Sequence, residues 1–107
     1  MLDELSTQLF EAENLNPVWP NELLELSKDT EYDSVLFKKA NDFLEVELKF
    51  HDEGQEIILE YVFDEEDLLQ YAYLSEHGTK STVFDRQLLI SDIRRKIKKN
   101  LAMQKVA

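Results

Sequence analysis

The chain has 107 residues, 43% of them hydrophobic, with six Phe, four Tyr, one Trp, no Cys and a formal net charge of −11. That length suits one domain with a single modest core, and so many aromatics exclude a disordered acidic tail. The missing cysteines exclude disulfides, thiolate metal sites and thiol nucleophiles together.

From the N-terminus, Leu2, Leu5, Leu9 and Phe10 form one apolar stripe and predict a helix over 3–12. Asp3 and Glu4 in its first turn suit the positive end of the helix dipole. Asn16-Pro17 ends it, because proline pushes its predecessor out of the helical region. Pro20 then opens a short second helix over about 20–28, with Leu23, Leu24 and Leu26 packing and Trp19 as an anchor.

Ser34 to Lys39 is read as a strand closed by a turn at Asn41-Asp42. The clearest strand is Leu44 to Phe50, where Leu44, Val46, Leu48 and Phe50 alternate with Glu45, Glu47 and Lys49. Gly54 allows a turn, and Glu56 to Phe63 forms the returning arm of a hairpin. Asp64 reads as the cap of a helix over 65–76, with Leu68, Leu69, Ala72 and Tyr73 on one face and Gly78 as its stop. The competing reading pairs Tyr71–Ser75 with Lys80–Phe84 around His77-Gly78. From about Asp85 to Met103, Leu89, Ile90, Ile93, Ile97 and Leu101 build a stripe opposite Arg94, Arg95, Lys98 and Lys99. The expected fold is a single α+β domain over 1–107. Its antiparallel sheet has about three strands, helices cover one face, and a long amphipathic C-terminal helix closes the chain.

Charge is sorted along this order. Residues 1–79 hold 21 carboxylates and four lysines, whereas residues 80–107 hold two carboxylates and eight bases. A small domain is comfortable with a net charge of magnitude ~2–8, so the acidic part accepts self-repulsion.

No catalytic pattern accompanies this charge. The carboxylates read as solvated strand faces and helix starts, not as a buried acid–base pair. His51 and His77 lie at turns with no nucleophile in a recognisable setting. Asp64–Asp67 fails the calcium-loop pattern because Leu68 and Leu69 fall where oxygen and glycine are required. Two glycines cannot build a phosphate-cradling loop. The expectation is therefore a non-enzyme with neither cofactor nor metal.

The basic terminal helix is read as neutralising the protein's own acids, since nucleic-acid binders carry a basic domain face. Alternate strand residues repeat every ~6.6–6.8 Å, close to the phosphate spacing of a nucleic-acid strand. Glu45, Glu47, Glu56 and Glu60, extended by Asp52, Glu53, Asp64, Glu65, Glu66 and Asp67, are thus the candidate acidic face for a cationic protein. Such charge steers a basic partner to its site, and Tyr61, Phe63, Tyr71 and Tyr73 are candidate anchors.

The function this implies is an immunity protein or antitoxin that covers the active site of a basic, nuclease-like toxin. The alternatives are a nucleic-acid mimic that occupies a DNA- or RNA-binding protein, and a non-catalytic scaffold docking through its C-terminal helix. Neither direct nucleic-acid binding nor membrane contact is expected. The longest apolar run, Ile57-Ile58-Leu59, is far short of the ~20 residues of a membrane span. The opening Met1-Leu2-Asp3-Glu4 is acidic where a secretory signal is basic, so a cytoplasmic location is expected.

Overall fold

The computed structural model describes residues 2–29 and 31–106. The elements run α1 (Leu2–Asn14), α2 (Pro20–Leu26), β1 (Ser34–Ala40), β2 (Phe43–Asp52), β3 (Gln55–Phe63), β4 (Leu69–Glu76), β5 (Thr79–Asp85) and α3 (Arg86–Val106). The fold is α+β, and it divides into two compact units. Residues 16–85 form a sheet unit, and the residues up to Leu15 with those from Arg86 onward form a helical unit.

In the sheet unit the five strands pair in chain order, each antiparallel to the next. Three joints are two-residue turns. Glu53-Gly54 and His77-Gly78 hold both residues at positive φ, and Asn41 opens the third turn at φ 56°. That geometry matches the twist of a hairpin, and glycine at the second position adopts it without a Cβ penalty.

The sheet has five strands where about three were expected, and the helix expected over 65–76 is absent. Leu69–Glu76 is a strand, and it pairs with Thr79–Asp85 around His77-Gly78. The misreading has a physical source. Phe63 pairs with Leu69 but Val62 pairs with Tyr71, so Gln70 is an extra residue in β4. A bulge of this kind shifts the alternation by one position. Leu69 and Ala72 therefore share the core face at a spacing of three, which in sequence looks helical.

Asp64 organises the joint between β3 and β4 instead of capping a helix. Its Oδ1 accepts from the backbone N–H of Glu66 at 2.8 Å and of Leu68 at 3.0 Å, and its Oδ2 accepts from Gln70 Nε2 at 2.9 Å. Asn16 fastens the same loop, donating Nδ2 to the Asp67 carbonyl at 2.9 Å and accepting from the Leu69 N–H at 2.8 Å. These bonds satisfy backbone groups that a loop would otherwise leave to water.

The core of the sheet unit is Val46 and Leu48 of β2, Phe63 of β3, Leu69 and Ala72 of β4 and Leu23 of α2, with Val18, Leu26, Tyr32 and Leu59 packed against them. Phe63 is wholly enclosed.

The helical unit has a smaller core of Ala12, Ile90 and Ile93, flanked by Leu9 and Ile97. Phe10, expected in the apolar stripe of α1, is 64% exposed, and Leu89 and Leu101 of the expected α3 stripe are also exposed. A polar clamp supplements this core. Arg86 is 2% exposed and donates Nη1 to the Ala12 carbonyl at 2.6 Å and Nη2 to the Leu15 carbonyl at 2.8 Å. The last turn of α1 has no basic residue of its own. The guanidinium thus meets the negative end of that helix and satisfies carbonyls left without intrahelical donors. No helix of the described residues is long and apolar enough to cross a membrane.

Candidate functional site

Register decides which side chains share a face of the sheet. Leu44, Val46, Leu48 and Phe50 of β2 lie opposite Phe63, Tyr61, Leu59 and Ile57 of β3 on the core side. The other face carries Glu45, Glu47, Lys49 and His51 of β2 with Glu56, Ile58, Glu60 and Val62 of β3. Leu36 and Lys38 of β1 join them, as do Tyr71 and Tyr73 of β4 and Lys80 of β5.

One row crosses the strands as Leu36, Glu47, Glu60, Tyr73 and Thr82. It runs through a groove of about 480 Å³ lined by Leu36, Lys38, Glu47, Glu60, Tyr73 and Lys80, among others. Lys80 Nζ lies 3.4 Å from Glu60 Oε1 and 4.5 Å from the centre of the Tyr73 ring. Tyr71 and Tyr73 stack with ring centres 6.3 Å apart and planes 10° from parallel.

The ten carboxylates of the expected acidic face occupy three places. Glu45, Glu47 and Glu60 share the groove. Asp52, Glu53 and Glu56 sit at the tip of the β2–β3 hairpin, where Glu56 lies opposite His51. Asp64, Glu65, Glu66 and Asp67 form the β3–β4 joint, where a hollow also takes in Lys39 and Asp42. The hairpin tip and that joint lie at opposite ends of β2, whose ten residues span roughly 30 Å. No single patch holds all ten. Asp64 is further committed to the hydrogen bonds of its own loop.

The row of alternate acids along one strand is also short. On the face of β2 away from the core, Glu45 and Glu47 are bounded by Phe43 and Lys49, so two carboxylates repeat at the strand spacing. Of the candidate anchors, Tyr71 and Tyr73 lie on the face of Glu47 and Glu60, whereas Tyr61 and Phe63 lie on the core side. Burial, and secondarily the neighbouring Tyr32, raises the Tyr61 phenol above its ordinary pKa of 10.0.

Sequence reasoning overlooked Leu36, Lys38 and Lys80 as members of this face. The alternation of Lys80 and Thr82 on β5 was the available signal, hidden by the helical reading of the preceding segment. The basic face of α3 is partly engaged within its own unit. Arg94 Nη2 lies 3.8 Å from Glu13 of α1, and Arg95 Nη2 lies 3.3 Å from Asp92. His51 Nδ1 pairs with Asp33 in the sheet unit. Among the described residues, no cluster of three or more acidic or histidine side chains is placed to hold a metal ion.

Comparison with protein-family models, with curated proteins and with solved structures finds no match.

Proposed function

We propose that this chain is a small acidic binding protein of the immunity or antitoxin type. It acts from the cytoplasm without catalysis, and it neutralises a basic, nuclease-like toxin by covering the toxin's active site. The observation that carries the reading is the composition of the sheet face away from the core. Glu45, Glu47 and Glu60 stand there beside Leu36, Val62 and Tyr73. Acids attract a basic protein over a distance. Apolar and aromatic groups at the centre of the same face supply the desolvated contacts that hold it.

The sheet unit strengthens that field, because residues 16–85 hold 18 carboxylates against five lysines, a net of −13. The two-residue run of alternate acids makes the nucleic-acid mimic the weaker alternative, because phosphate imitation needs a longer row at one spacing.

Affinity capture from the native cell tests the reading. The intact protein should retain a basic protein whose toxicity is suppressed on co-expression. A variant with Glu45, Glu47 and Glu60 each changed to Lys should lose that protein, whereas one with Lys96, Lys98 and Lys99 changed to Glu should keep it. The reverse pattern would establish the scaffold reading, with α3 as the docking element.

A further inference from the structure

We infer that the groove over Glu47, Glu60 and Tyr73 is the seat of an arginine side chain from the cationic partner. Lys80 fills it in the free protein as a displaceable internal cation. The inference rests on the proposed acidic binding face and adds to it the group recognised and a built-in competitor.

Cross-strand register places Glu47 directly opposite Glu60, and Glu60 directly opposite Tyr73. Like charges directly opposite in a sheet are destabilising, and a cation between them removes that cost. Lys80 supplies part of one, with its ammonium near both the Glu60 carboxylate and the Tyr73 ring. The groove also takes in Lys38 and Glu45, so three carboxylates meet two ammonium groups there. Among the described residues, no lysine or arginine nitrogen lies within 4.0 Å of Glu47. The groove therefore keeps a net charge of −1 with both of its own lysines in place.

The shape favours arginine over lysine as the incoming group. A guanidinium is flat, stacks on an aromatic face and donates to carboxylates through a rigid fork, whereas an ammonium is a compact point charge on a flexible stem. Tyr73 offers the face, Glu60 and Glu47 the acceptors, and Leu36 and Val62 the apolar walls for the methylene stem. Lys80 is a weak occupant by comparison. Its side chain is half exposed, and an ion pair in that setting holds little. A partner arginine displaces it at small cost, and the released ammonium adds to the repulsion of any wrongly placed cation.

The test is an NMR titration of the full-length protein with tri-arginine amide, with tri-citrulline amide as the uncharged match. The expected result is preferential binding of tri-arginine, with the largest shifts at Glu47, Glu60 and the Tyr73 ring. Lys80→Ala should tighten tri-arginine binding by about fivefold, the scale of one exposed cation–π contact with one surface ion pair. Lys28→Ala removes an equal charge just after α2 and should leave it nearly unchanged. Glu60→Gln should weaken binding and abolish the difference that Lys80→Ala makes.

Equal effects of the two lysine variants, or shifts centred on Asp42 and residues 64–67, would overturn the arginine seat while leaving the acidic-face reading intact. Tri-arginine binding no better than tri-citrulline would overturn both. Self-association that moves the same resonances without peptide would make a second copy the occupant and overturn the assignment.

Discussion

The sheet unit and the helical unit solve the problem of holding a small structure together in different ways. The sheet unit encloses Val46, Leu48, Phe63, Leu69, Ala72 and Leu23 in one apolar cluster. Its net charge is −13; Glu45, Glu47, Glu56 and Glu60 lie on the face away from that cluster, and Glu53 and residues 64–67 lie in the joints between strands. The helical unit carries five carboxylates and seven bases, a net of +2. Its central cluster is Ala12, Ile90 and Ile93, Leu5 of α1 is buried besides, and the Arg86 clamp on the α1 carbonyls is added. A meander gathers most of its core residues on one side, so the other can carry charge at little cost to packing. Two helices with a narrow seam lack that reserve and rely more heavily on a polar contact.

Phe63→Ala should test the first half of this contrast most severely. Loss of a wholly enclosed ring costs about 3–5 kcal/mol, and urea unfolding should show a midpoint lowered accordingly. Arg86→Met tests the second half. It leaves two carbonyls without their donor, at about 1–3 kcal/mol for each. Hydrogen exchange should quicken in α1 and α3 while the β2–β3 ladder stays protected. If exchange in the helices is unchanged, the clamp is incidental and the contrast fails.

A smaller effect separates Asp64 from its acidic neighbours. Asp64→Ala removes the acceptor of three hydrogen bonds and should cost about 1–2 kcal/mol. Glu65→Ala and Glu66→Ala should lie within ~0.5 kcal/mol of the parent. Equal losses for all three would mean that the loop is held by something other than the Asp64 carboxylate.

The smallest effect is confined to alkaline pH. Burial raises the Tyr61 phenol in the folded state. Its contribution is therefore complete below the ordinary pKa of 10.0 and is lost as pH rises through the folded value. Tyr61→Phe should flatten the fall in unfolding free energy above about pH 10, measured by urea titration across that range. An identical fall in both proteins would assign it to the lysines instead.

Much of this architecture is legible in the residues. The Leu44–Phe50 alternation marks β2, and Asn41 and Gly54 mark the turns on either side, because local backbone preference and burial demand the same thing there. The segment after Asp64 misleads because four acids resemble a helix start and the bulge at Gln70 gives Leu69 and Ala72 a helical interval. Arg86 gives no sign of its burial, since its acceptors are carbonyls 71 and 74 positions earlier in the chain. The grouping of acids is equally hidden. Glu47 and Glu60 become neighbours through strand register alone, and Lys80 joins them only once β4 and β5 are recognised as strands.

The order of pairing in the meander has a consequence for how the chain acquires its structure. Every strand finds its partner a few residues away, so the ladder can zip up hairpin by hairpin with little loop-closure entropy at each step. The first helix has no such near neighbour, because the side chain that grips its end follows the last strand. During synthesis from the N-terminus the sheet can form while that helix still waits, and the guanidinium of Arg86 arrives as the latch that closes behind it.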